Sequence, residues 1–115
     1  MFGRVDQDIG VTMYIESWRQ KVERNGNMNY RPSARDRARE DPIVTVSIRS
    51  DGSVEDIAII RSSGLPELDA AVQRIVRLYA RYSAFPPDLA RRYDVIEIRR
   101  VWNFDDQLRI REEMR

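Results

Sequence analysis

Apolar positions recur along the chain in two rhythms. From Met13 onward, Tyr14, Trp18, Lys21 and Val22 return at i, i+4, i+7 and i+8, with Ile15 beside them. That spacing predicts a helix with one buried face. Thr12 is placed to cap it and Glu16 lies in its first turn, while Asn25-Gly26-Asn27 supplies a stop. Residues 43–49 change to a period of two, with Val44, Val46 and Ile48 on one side and Thr45, Ser47 and Arg49 on the other. Ser50-Asp51-Gly52-Ser53 follows, and Asp-Gly supplies the positive φ of a tight hairpin. Residues 54–61 return as the antiparallel partner, with Ile57 and Ile59 on one face. After the break at Ser62-Ser63-Gly64, Pro66 opens a second helix. Leu68, Val72, Ile75, Val76 and Tyr79 make its stripe, and Phe85-Pro86-Pro87 ends it.

Residues 94–104 predict a third strand, with Ile96, Ile98, Trp102 and Phe104 on one face. Arg100 interrupts that face, so the strand either bulges there or carries the arginine over its rim. The polar connector 27–41 has room for a short helical turn over 33–40. Residues 1–12 are expected as a flexible N-terminal segment, 13–104 as the domain, and 105–115 as a charged, mobile tail in which Leu108 and Ile110 keep a weak alternation. The expected fold is α+β: a small two-layer sandwich in the order α-β-β-α-β, with a three-stranded antiparallel sheet covered by two helices. The second sheet face is left to solvent.

Charge and composition narrow the chemistry. The 115 residues suit one domain, and 42% hydrophobic with 34% charged residues is too apolar for a disordered chain. Of the 20 basic residues one, Lys21, is a lysine and 19 are arginines, and 19 acidic residues balance them. A net charge of +1 creates no field that draws nucleic acid, and exposed aromatics are not interleaved with a basic stripe. With no cysteine and no histidine, triads, zinc sites and thiolate chemistry lose their usual members. The hydroxyls of Ser62-Ser63 have no histidine or lysine nearby to activate them, and read as a turn. No metal, cofactor or catalytic residue is expected. No stretch approaches the eighteen or so apolar residues of a membrane span.

The ordered set of motifs resembles the TonB C-terminal domain family, from Tyr14 to Phe104. The resemblance rests on the helix from Tyr14 to Arg24, Asn29-Tyr30 with Ala34-Arg35 after it, and Asp51-Gly52-Ser53-Val54. It continues through Arg61-Ser62-Ser63-Gly64, Leu68-Asp69-Ala70-Ala71, Phe85-Pro86-Pro87 and Arg100-Val101-Trp102-Asn103-Phe104. One departure is local: the family's proline follows the tyrosine directly, whereas Arg31 separates Tyr30 from Pro32 here.

The resemblance implies a non-enzymatic periplasmic domain of a bacterial protein anchored in the inner membrane. Such a domain grips the TonB box of a TonB-dependent outer-membrane transporter by strand addition. It passes on work derived from the proton-motive force for uptake of substrates such as iron-siderophores. ExbB and ExbD would be partners through an N-terminal part outside this sequence. The peptide-binding edge would be the last strand, through Val95, Ile96, Glu97, Ile98, Arg99, Arg100 and Val101. Asn27, Met28, Asn29 and Tyr30 would form a second contact. Charged residues on an edge also discourage aggregation, and Arg99 and Arg100 fit that role as well as recognition of an acidic partner. Open edges permit a strand-swapped homodimer. The alternatives are a TolA-like envelope-integrity domain binding Tol–Pal partners and, from another class, a nucleic-acid-binding module.

Overall fold

The computed structural model describes residues 8–29 and 39–113. Helix α1 (Ile9–Asn29) is followed by strands β1 (Ile43–Arg49) and β2 (Val54–Arg61). Helices α2 (Pro66–Leu78) and α3 (Pro87–Arg92) come next, and strands β3 (Val95–Asn103) and β4 (Arg109–Arg111) close the chain. The strands form one antiparallel sheet in the order β2-β1-β3-β4. The class is the expected α+β, and the described residues hold four strands where the sequence predicts three and three helices where it predicts two.

One sheet face is the core. Val44, Val46 and Ile48 of β1 face the helices with Ile96, Ile98 and Trp102 of β3. Val11, Tyr14, Trp18 and Val22 of α1, and Leu68, Val72 and Val76 of α2, cover them and are buried. Trp18 meets Tyr82 and Trp102 edge-on, with ring centroids 6.0 and 6.4 Å apart. The opposite face carries Thr45, Asp56, Ala58, Glu97 and Arg99.

The hairpin turn closes as its sequence predicts. Gly52 has φ +88°, and its N–H donates to Arg49 O at 2.8 Å. It is also a close approach: a Cβ there would lie 2.0 Å from Tyr82 O. Tyr82 N donates to Gly52 O and Phe85 N to Ser50 O, each at 2.8 Å, so the turn is docked on the loop after α2.

Several boundaries differ from the sequence reading. Helix α1 starts before Thr12, because Asp8 caps it: Asp8 Oδ1 accepts from Gly10 N at 2.8 Å and from Val11 N at 3.3 Å. It also runs through Asn25-Gly26-Asn27, where contacts with the C-terminal segment override the local stop. Helix α2 ends at Leu78, before the stop expected at Phe85-Pro86-Pro87, and helix α3 begins at that stop and runs over residues to which the sequence reading gives no element. Its six residues begin at Pro87 and are too few to show a period. Residues 109–111, read as part of a charged tail, form β4, since Leu108 and Ile110 are buried at 1% and 2% exposure. Residues 1–7 and most of the 33–40 turn lie outside the described residues.

Arg100 is also resolved. The register from Ile43 opposite Val101 to Arg49 opposite Val95 is unbroken, so β3 has no bulge against β1. The arginine stands on the core face beside Val44 and passes over its rim, its side chain 20% exposed. The register shifts lie between β1 and β2 instead.

Candidate docking edge

The outer edge of β3 follows from two hydrogen bonds. Trp102 N donates to Pro42 O at 3.0 Å, and Ser50 N to Asp94 O at 2.9 Å. In an antiparallel pair, alternate residues bond one neighbour and the residues between them turn away. With an unbroken register, Ile96, Ile98, Arg100 and Trp102 therefore bond β1. The N–H and C=O groups of Val95, Glu97, Arg99, Val101 and Asn103 point outward. Val101 and Asn103 are met there by Arg111 and Arg109 of β4. Val95, Glu97 and Arg99 face no strand among the described residues.

The seven β3 residues named from the sequence thus divide. Val95, Glu97 and Arg99 carry the open backbone groups. Ile96 and Ile98 are buried core, each 1% exposed. Val101 is already paired by β4. Arg100 stands at the rim, and its Nη1 donates to the outward carbonyl of Arg99 at 2.8 Å.

Beside this edge a cleft of about 560 Å³ opens between α1 and β4. Ile15 and Ile110 supply its apolar lining, and Arg19, Arg100, Arg109 and Arg111 face Glu16, Glu23 and Glu112 across it. Arg19 bridges Glu16 and Glu23, with Nη1 2.7 Å from Glu23 Oε1. Its hydrogen bond to Glu16 is the chief cause that holds the Glu16 carboxyl below its usual range. No group of three metal-ligating side chains exists among the described residues.

Strand β4 is fastened in place from α1. Asn27 Nδ2 donates to Leu108 O at 3.1 Å while Leu108 N donates to Asn27 Oδ1 at 2.6 Å. Ile110 N donates to Glu23 Oε2 at 2.6 Å. Gly26 leaves the space that Leu108 fills: a Cβ there would be 2.6 Å from Leu108 Cδ2. On the far side Asp41 accepts from Arg111 and Asn103, and Arg39 from the connector bonds Asp105 at 2.8 Å. The sequence reading gives none of these residues the role of holding a fourth strand. The one available signal is the alternation of Leu108 and Ile110.

The second region named from the sequence is only partly described. The Asn27 amide is engaged with Leu108, and Met28 is 79% exposed. Asn29 ends α1, and Tyr30 lies outside the described residues.

The family model described as Gram-negative bacterial TonB protein C-terminal matches residues 26–105. That span includes β1, β2, α2, α3 and all of β3. No curated protein and no solved structure matches the chain.

Proposed function

From the premise that the chain belongs to the Gram-negative bacterial TonB C-terminal family, a family of periplasmic interaction domains, we propose that it is the receptor-docking domain of a TonB-type energy transducer. The TonB box of an outer-membrane transporter adds as a strand to the open edge of β3. Work derived from the proton-motive force then passes through the domain for uptake of substrates such as iron-siderophores. An inner-membrane anchor and the partners ExbB and ExbD belong to the N-terminal part of such a transducer. The observation that carries the reading is the row of outward backbone groups at Val95, Glu97 and Arg99, left open where β4 stops. The family match favours this reading over a TolA-like one.

The magnitudes agree. Three residues with an outward donor and acceptor each can form up to six bonds, at about 0.5–1.5 kcal/mol net, or about 3–9 kcal/mol. Micromolar binding needs about 8 kcal/mol, and association has its own entropic cost. Backbone pairing therefore has to be supplemented by side chains in the cleft.

Proline tests the edge. Glu97→Pro removes an outward N–H that β1 does not use, and should leave the circular dichroism spectrum unchanged while abolishing binding of a TonB-box peptide. Ile98→Pro removes an N–H bonded to β1 and should unfold the domain. Titrating labelled protein with the peptide should shift amides of residues 95–100. Shifts confined to β2, or a folded Glu97→Pro variant that binds as well as the parent, would show that β3 is not the docking edge.

A further inference from the structure

Resting on that reading, we propose that Arg100 selects partner strands carrying an acidic side chain at the position across from it. The chain itself shows the arrangement. Strand β4 runs antiparallel to β3, with Asn103 opposite Arg109, Trp102 opposite Ile110 and Val101 opposite Arg111. Extending that line by two residues places Glu112 across from Arg100 and Glu113 across from Arg99. The side chains follow the same line. Arg99 Nε lies 2.6 Å from Glu113 Oε1, and Arg100 Nη2 lies 3.7 Å from Glu112 Oε1. Past the end of β4, the chain's own acidic residues accompany the edge that a docked strand would occupy.

Strand β4 stays where it is when a strand docks, because Glu23 and Asn27 of α1 bond its backbone and Leu108 and Ile110 are buried. Only residues beyond Arg111 have to move aside. An incoming strand then takes the stretch of β3 that β4 leaves open.

Of the two arginines, Arg100 is placed to discriminate. Arg99 lies on the solvent face with its side chain 52% exposed, where water and salt weaken an ion pair. Arg100 lies on the helix side, 20% exposed, and lines the cleft that a side chain opposite it would enter. Glu112 lines that cleft now. At 3.7 Å it is within ion-pair range and beyond a hydrogen bond, so it is a weak competitor. Of the cleft's other cations, Arg19 is already bridged to Glu16 and Glu23, and Arg111 to Asp41.

The second role of Arg100 couples recognition to pairing. Its Nη1 holds the outward carbonyl of Arg99, the acceptor that an arriving N–H needs. Docking brings a second donor to that oxygen and loosens the guanidinium. A glutamate or aspartate on the incoming strand gives the guanidinium a charge-assisted partner, and a neutral residue does not.

Two capped six-residue peptides of threonine and valine, one with a single central glutamate and one with glutamine in its place, provide the test. Titrated into the labelled protein at low salt, the glutamate peptide should bind about tenfold more tightly. The ratio should fall to about one in Arg100→Gln, and Arg100→Glu should prefer a lysine peptide. Should Arg100→Gln fail to fold, Glu112→Gln serves: removing one of the two internal acids near Arg100, Glu112 and Glu16, should tighten glutamate-peptide binding roughly two- to threefold. Equal binding of the two peptides along β3, or a preference that survives Arg100→Gln, overturns the role of Arg100 and leaves the docking edge standing. If neither peptide perturbs β3, the docking edge itself is wrong, and the inference falls with it.

Discussion

Asp69 shows how one residue of the sequence pattern carries more than its position suggests. It lies in the first turn of α2, where an acid complements the helix dipole. In the structure the loop before α2 is also wrapped around it. Ser62 Oγ donates to Asp69 Oδ2 at 2.5 Å, and Ser63 N and Oγ donate to Oδ1 at 3.0 and 2.7 Å. Burial pushes the carboxyl up, and the bonds from Ser62 and Ser63 more than reverse this, leaving it below its ordinary value. A carboxylate with a lowered folded pKa stabilises the fold fully above its unfolded value of about 3.9, and that contribution is lost as pH falls through the folded value. Asp69→Asn should therefore cost about 1–2 kcal/mol at neutral pH, with the gap closing in acid as the folded carboxylate takes up its proton. Urea melts at neutral and at acid pH check this. An equal gap at both would mean that charge on Asp69 is not what holds the loop.

At the scale of elements, legibility followed length and periodicity. The stripe of Leu68, Val72 and Val76 and the alternation of Val44, Val46 and Ile48 were visible because each repeats one period several times. Helix α3 and strand β4, of six and three residues, are too short to repeat anything. The C-terminal end of α1 departs from the sequence reading for another reason: Gly26 and Asn27 answer to Leu108, 81 residues from Asn27, and no local rule contains that contact. The docking edge was legible only as a strand. Which residues of it face outward depends on the register with β1, and where the open part ends depends on β4. The contribution of β4 can be measured by two truncations. Ending the chain after Gln107 removes two side chains buried to 1% and 2%, and should cost about 3–6 kcal/mol at about 1.5–3 kcal/mol each. Ending it after Arg111 removes the ion pairs of Glu112 and Glu113 with β3, and should change stability by about 1 kcal/mol or less. Urea denaturation of both forms separates a structural β4 from a dispensable tail; equal stabilities would favour the latter.

For the whole molecule, the question is what the sheet's remaining edges do when no partner is present. A four-stranded open sheet has two boundaries, and unpaired edges invite a second copy. The outer edge of β2 carries exposed Glu55, Asp56 and Arg61, charges that discourage edge-to-edge pairing. The outer edge of β3 is shortened by β4 to Val95, Glu97 and Arg99, and its arginines are accompanied by Glu112 and Glu113. Exchange of the last strands between copies would require Leu108 and Ile110 to leave the core, and the bonds from Glu23 and Asn27 to break. These features favour a monomer. Sedimentation velocity across the concentration range used for peptide titration should give one species of 13.6 kDa. If a dimer grows with concentration, Glu97→Pro identifies its route. Loss of the dimer in that variant places the contact on the same edge that is proposed to take the transporter peptide, and the peptide should then dissociate the dimer. A dimer that persists in Glu97→Pro uses another surface, and the open edge of β3 stays free for a partner.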